Sequence, residues 1–304
     1  MKLLGAGLLL AAAFAALPLV TIRGDLLNLG VQIFLAVVLA QSWNLLGGYA
    51  GQINLGHAAF FGLGALVTRT LWVGGTPLIF SLIAGAALAM AFGCLIGVPA
   101  FRLRGAYFAI GTLGLAEILR ISIGNLLPQI STIPAAELTS YNILPRYYLT
   151  LGMAMVSVGV VVGLVPSRLG LGIRAVREDE AAAEATGVSA LRHKLLALAI
   201  STALAGLAGG AFAYYHVSYY PQHTFSPAWT FDAVLMSYIG GVGTVHGPVL
   251  GALFYVILKE LLAVKLVEFH LIIFGVLFIL VVLFLPGGLV EAWSRVRQLV
   301  SRRT

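Results

Sequence analysis

Residues 26–46 read LLNLGVQIFLAVVLAQSWNLL. The run carries no charge, and it is long enough to cross a bilayer, which takes about 20 helical residues. Similar runs occur at 3–22, 53–73, 77–98, 105–123, 147–165, 194–216, 231–246, 248–264 and 269–285. Glycine, proline or charge separates each from the next. The whole chain is 60% hydrophobic and only 10% charged, with a mean hydropathy of +1.01. A soluble domain is about 25% charged. The expected fold is therefore an all-α integral membrane protein, a polytopic helix bundle of about ten transmembrane segments, eight to ten at that length. It fills residues 1–304 as one domain and leaves no room for a separate soluble catalytic domain. The run at 231–246 is short and holds Gly240, Gly241 and Gly243, so it is expected to be broken or re-entrant. The first run has the basic start and small residues of a signal peptide, but its apolar stretch continues to Ile22. It is expected to stay as the first helix.

Charge orients this map. The net charge is +7, and in a membrane protein such an excess reads as the positive-inside bias rather than as nucleic-acid binding. Placing the N-terminus and the loop 166–193 in the cytoplasm also brings the tail 287–304 there, with Arg295, Arg297, Arg302 and Arg303. Of the Lys and Arg residues, only Arg23, Arg69, Arg120, Arg146, Lys259 and Lys265 then fall at the outer side. Acids balance them there: Asp25, Glu117, Glu137, Asp232, Glu260 and Glu268. Two outer segments, 124–146 and 217–230, are rich in proline and aromatic residues and suit a structured docking surface. Arg146 is a candidate docking charge on it.

One segment breaks the apolar pattern: PSRLGLGIRAVREDEAAAEATGVSALRHKLL, residues 166–196. Within it, 173–186 are strong helix formers, and Arg174 and Glu178 are spaced to share a face. Gly187 stands where a left-handed terminator belongs, and Ser189 is placed to cap the next helix. The expectation is one short surface helix whose alanines leave a small-residue face for a groove on another protein. Arg177, Asp179 and Glu180 give it further charge.

This segment resembles the cytoplasmic coupling loop of ABC-importer permeases, whose pattern is Glu-Ala-Ala, three residues, then Gly. Ala182, Ala183 and Gly187 have that spacing, while Ala181 takes the glutamate position and Glu180 precedes it. A second stretch, SWNLLGGYAGQINLGHAAFFGLGAL at 42–66, resembles the permeases of branched-chain amino-acid (LIV) uptake systems, in particular their LivM-type subunit. So do RLRGAYFAIGTLGLAEILR at 102–120, IGGVGTVHGPVLGALF at 239–254 and LVVLFLPGGL at 280–289. The likeness runs in matching order from about residue 30 to 290. It implies a subunit of a bacterial inner-membrane importer for branched-chain or related amino acids. The implied partners are a second, LivH-like permease, two cytoplasmic ABC ATPases and a substrate-binding protein outside. The charged loop would receive motion from an ATPase. A permease for urea or short amides in the same family shares similar motifs and stays open as an alternative.

Several absences fit that reading. A phosphate-binding P-loop needs a Gly-Lys pair, and none of Lys2, Lys194, Lys259 and Lys265 follows a glycine. ATP hydrolysis is expected on partner subunits, so the chain itself is not expected to be an enzyme. A stand-alone secondary carrier, the alternative from another class, usually holds carboxylates deep in its helices. Here Glu117 has Arg120 three residues on, which suits an ion pair, and Asp232 and Glu260 fall near helix ends. The histidines at 57, 193, 216, 223, 246 and 270 lie on separate segments with no metal-binding spacing. Cys94 stands alone. No catalytic constellation, cofactor site or metal site is expected.

The hairpin around 41–57 gathers uncharged hydrogen-bonders: Gln41, Asn44, Gln52, Asn54 and His57, with Gly56 among its glycines. Polar side chains in lipid must find partners. These six residues are the candidates for a helix junction beside the translocation path. The Gly-rich stretch 240–248, GGVGTVHGP, is a similar break before a span.

Overall fold

A computed structural model of the chain describes residues 12–19, 23–127, 131–132, 138, 141–265, 273, 275–276, 279–280, 283 and 287–291. Most of the expected runs at 3–22 and 269–285, and the tail beyond 291, lie outside the described residues.

Residues 12–19 form helix α1. It is followed by α2 (Gly24–Asn44), which continues into a π-helical turn at Leu45–Tyr49. Asp25 in the first turn of α2 complements the positive end of the helix dipole. Then come α3 (His57–Val73), α4 (Leu78–Ala100) and α5 (Ala106–Leu126). Asn142 caps α6 (Ile143–Leu164) by accepting a hydrogen bond from the Leu144 N–H at 2.9 Å. The charged loop holds α7 (Arg168–Glu178) and α8 (Glu180–Ala185), and α9 (Ala190–Tyr215) follows. After a short turn of helix, α10 (Pro221–Thr224), come α11 (Ala228–Gly240) and α12 (Gly247–Lys265).

Among the described residues, five helices are long and apolar enough to cross a membrane: Gly24–Tyr49, Leu78–Ala100, Ala106–Leu126, Ile143–Leu164 and Ala190–Tyr215. The expected run at 231–246 is a shorter helix, 228–240, about 20 Å long at 1.5 Å per residue. It ends at Gly241, whose φ of +128° suits glycine, and a turn of 241–246 leads into α12.

Helix α9 is the hub, packed against α2, α3, α4 and α6. Its sequence ALAGLAGGAFAYY lets backbones close on one another. A Cβ on Gly64 of α3 would stand 2.1 Å from the Gly206 carbonyl oxygen of α9. The largest core joins α2, α6, α11 and α12 through Val31, Phe34, Val38, Tyr147, Met236 and Tyr255. Outward, α4 and α5 expose Phe80, Leu95, Ile110 and Ile118. Water does not favour contiguous apolar faces of that kind and lipid does.

The two segments expected at the outer side meet. β1 (Ser131–Thr132) pairs antiparallel with β2 (Ser218–Tyr219), Ser131 opposite Tyr219. Arg146 is not a free docking charge. It is buried, its guanidinium lies 4.0 Å and 4.3 Å from the ring centres of Tyr141 and Tyr214, and it donates to the Tyr214 and Asn142 carbonyls. Glu117 and Arg120 do form the expected pair, with Arg120 Nε donating to Glu117 Oε2 at 2.9 Å.

Candidate functional site: a helix junction gripped by the charged loop

The charged loop is two helices rather than one. Ser167 Oγ accepts from the Gly170 N–H and opens α7. At Asp179 the backbone turns extended, with φ −154° and ψ 111°. The Asp179 carboxylate then accepts from the Ala182 N–H at 3.0 Å and starts α8. The single helix expected over 173–186 fails because an aspartate in mid-run serves the backbone better as a cap than as an interior residue. Arg174 and Glu178 do not pair. Instead Lys194 Nζ donates to Glu180 Oε2 at 2.7 Å and ties α8 to α9. Gly187 has φ +87°, the left-handed terminator its position calls for. Ser189 does not cap α9 with its side chain. Its carbonyl engages the His193 ring at 2.8 Å.

The loop buries one face through Ile173, Val176, Ala183 and Ala190. Ala181, Ala182, Glu184 and Ala185 face outward, so the small-residue surface exists and is uncovered in this chain.

Arg177, itself exposed, reaches from α7 across to the π-helical turn. Its Nη1 donates to the carbonyl of Gly48, in the π-helical turn, at 2.5 Å. Its stem fills the space beside Gly51, where a Cβ would meet the Arg177 Cγ at 2.9 Å. On its other side a Cβ at Gly243 would lie 3.0 Å from the Arg177 Nη1. One guanidinium thus touches both Gly-rich breaks.

Those two breaks are joined to each other. Asn44 Nδ2 donates to the Thr244 carbonyl at 3.0 Å, and Asn44 Oδ1 accepts from the Gly243 N–H at 2.8 Å. Gln41 Nε2 donates to the Val245 carbonyl at 2.7 Å. Within the hairpin, Asn54 Oδ1 accepts from the Gly56 N–H at 2.7 Å, and Trp43 Nε1 donates to the Asn54 carbonyl at 2.8 Å. Gln52 makes a longer bond to the Ala50 carbonyl, at 3.3 Å. Gly56 sits so close to the Thr112 carbonyl that a Cβ would approach it to 2.2 Å. His57 is fully buried, and its Nε2 lies 2.8 Å from Ser42 Oγ. Ser42 Oγ donates to the Leu39 carbonyl, so the ring nitrogen is the donor to Ser42. His57 Nδ1 and Gln41 Oε1 are buried without a hydrogen-bond partner among the described residues. Unpartnered buried acceptors cost about 1–3 kcal/mol each.

The other end of the bundle holds a cavity of about 460 Å³. Leu39, Phe61, Phe212, Met236 and Val256 line it, with Asp232 and Lys259 on its wall. None of the six hairpin candidates does. Sequence reasoning missed the cavity. Its one legible signal was Tyr255 and Lys259, four residues apart on α12 and so on one face, both turned to Asp232.

A membrane helix bundle with a charged loop bound into a glycine-rich junction, and a cavity at the opposite end, defines a polytopic transport protein. A family model described as "Branched-chain amino acid transport system / permease component" matches residues 25–282, and the chain belongs to that family. It is 29% identical to the high-affinity branched-chain amino acid transport system permease protein LivM of Escherichia coli, over 93% of this chain and 73% of that protein. It is 26% identical to the probable branched-chain amino acid transport permease protein LivM of Methanocaldococcus jannaschii, over 83% of this chain and 89% of that protein. No solved structure matches the chain at a significant level. The family is a transport component, not an enzyme.

Proposed function

We propose that this chain is the LivM-like permease subunit of a binding-protein-dependent importer for branched-chain amino acids, and that Arg177 is the link through which an ATPase moves it. The observation that carries the reading is the Arg177 bond to Gly48. It ties α7, the helix just before the outward alanine face of α8, to the glycine-rich junction. An ATPase groove would cover that face, with Arg174, Glu178, Asp179 and Glu180 at its rim and Ala182 and Gly187 in it. Ala183, which is buried, and Arg177, which bonds the Gly48 carbonyl, transmit the displacement. The Gln41, Asn44, Gln52, Asn54, Gly56 and His57 junction, beside the translocation path, is the bistable element that responds.

The importer would comprise this chain, a LivH-like second permease, two cytoplasmic ATPases and an extracytoplasmic binding protein. It would sit in the inner membrane as about ten spans, with both termini, the loop 166–193 and the tail 287–304 in the cytoplasm. Cysteine labelling from each side of the membrane checks that topology. The partner claim is tested by co-purifying the ATPases with the wild-type chain and with a chain lacking 174–187. The expected result is ATPase bound to the first and absent from the second. ATPase retained by the deletion, or ATP-driven uptake left intact by Gly187→Trp, contradicts it.

A further inference from the structure

The cavity has two chemistries in one enclosure. Most of its wall is apolar, and Phe61 stacks on Trp229 at 4.6 Å with Phe212 edge-on at 4.9 Å. On one side stand an acid and a base: Lys259 Nζ lies 3.2 Å from Asp232 Oδ2, and Tyr255 Oη donates to Asp232 Oδ1 at 2.6 Å. His216 also lines the space, and burial pushes its imidazole below the ordinary value. At 460 Å³ the cavity falls within the about 300–1,000 Å³ of small-molecule sites.

From this we infer that the cavity binds a free α-amino acid with an apolar side chain, its ammonium on Asp232, its carboxylate on Lys259 and its side chain against Leu39, Met236 and Val256. This deepens the permease reading and rests on it. The Asp232–Lys259 pair is long, and its side chains are 24% and 47% exposed, so it opens at little cost. A zwitterion replaces each half of the pair with an equal charge, and no unpaired charge is left behind. Tyr255 holds the carboxylate of Asp232 in place while Lys259, the longer arm, swings aside. A neutral amide such as urea offers neither charge and leaves the apolar wall uncovered, so the cavity favours an amino acid over it. The site holds its ligand weakly, as a pathway must if the ligand is to leave.

The test uses the complex of this chain with its partner permease and ATPases in nanodiscs, without the binding protein, and measures equilibrium binding of radiolabelled L-leucine. The wild type is expected to bind saturably, with urea, isovalerate and isoamylamine each competing poorly. Asp232→Asn and Lys259→Gln are each expected to weaken binding at least about tenfold in complexes that still assemble and hydrolyse ATP. Ala36→Phe fills the cavity and leaves the ion pair untouched, so it keeps the question decidable if the charge variants fail to assemble. It is expected to abolish binding. No saturable leucine binding to an assembled wild type, binding unaffected by Asp232→Asn, or displacement by urea as efficient as by isoleucine overturns the inference while leaving the importer reading intact. Failure of the ATPases to co-purify overturns the importer reading, and leucine binding to the permease then still decides the cavity.

Discussion

The two ends of the bundle use polar residues in opposite ways. At the loop end, Gln41, Asn44 and Asn54 spend their amides on backbone groups of two broken segments, and Arg177 closes over them. At the cavity end, among the described residues, Asp232 pairs with Lys259 and Tyr255 beside a space large enough for a ligand. The first end holds backbone, and in the proposed function it is the end that is pulled. The second is built to open for something small. The same helices serve both. Helix α2 carries Leu35 and Leu39 in the cavity wall and Gln41 and Asn44 in the junction. Helix α11 carries Asp232 and Met236 in the wall and ends at Gly240 beside the break. At 1.5 Å per residue the wall and junction positions on α2 are only about 3–14 Å apart along the helix. In the proposed coupling, a shift of the loop would reach the cavity along these helices.

The strongest way to break the comparison is to destroy the hub both ends share. Gly64→Val forces a side chain into the Gly206 carbonyl, and overpacking against backbone costs more than the about 1–3 kcal/mol of an ordinary tight core. The expected outcome is near-complete loss of folded protein by size-exclusion of the detergent extract. Next in size is Asn44→Leu, which leaves the Thr244 carbonyl and the Gly243 N–H unpaired. At about 1–3 kcal/mol for each stranded group, the thermal unfolding midpoint should fall by several degrees, with leucine binding reduced as a secondary effect. Gly51→Ala sharpens the contrast further. Its φ of +67° disfavours a side chain, and the new methyl would collide with the Arg177 stem. Uptake should fall about tenfold if the backbone strain of about 1–2 kcal/mol displaces Arg177, and leucine binding at the far end should barely change. The smallest effect belongs to Glu180→Gln. Its pair with Lys194 is partly exposed and worth about 0–1 kcal/mol, so ATPase retention and stability should both stay close to wild type.

Much of this was legible in the chain, and the rest has identifiable reasons for being hidden. The apolar runs at 26–46, 77–98 and 105–123 each became a helix within a few residues of its expected ends. Those at 147–165 and 194–216 began early, at Ile143 and Ala190, because Arg146 and Arg192 read as loop charges and in fact stand in the first turn of each helix, Arg146 with its guanidinium buried. The break at Asp179 was hidden by the strong helix formers around it. The glycines and amides of 41–57 and 240–248 were each visible as breaks. What sequence spacing could not supply was that Asn44 and Thr244 meet across 200 positions. The cavity was harder still. Its walls come from α2, α3, α9, α10, α11 and α12, and no local pattern records a space between six helices.

The most direct test of the account is Arg177→Ala. It removes the one side chain that touches the Gly48 carbonyl from the charged loop and leaves the outward alanine face of α8 unchanged. ATP-driven L-leucine uptake and ATPase content should be measured on the same proteoliposomes. A hydrogen bond from a charged donor is worth about 1.5–3 kcal/mol, so uptake is expected to fall by at least about tenfold while the ATPases remain bound and leucine binding persists. Uptake equal to wild type with ATPases bound would contradict the claim that motion enters the helices through Arg177.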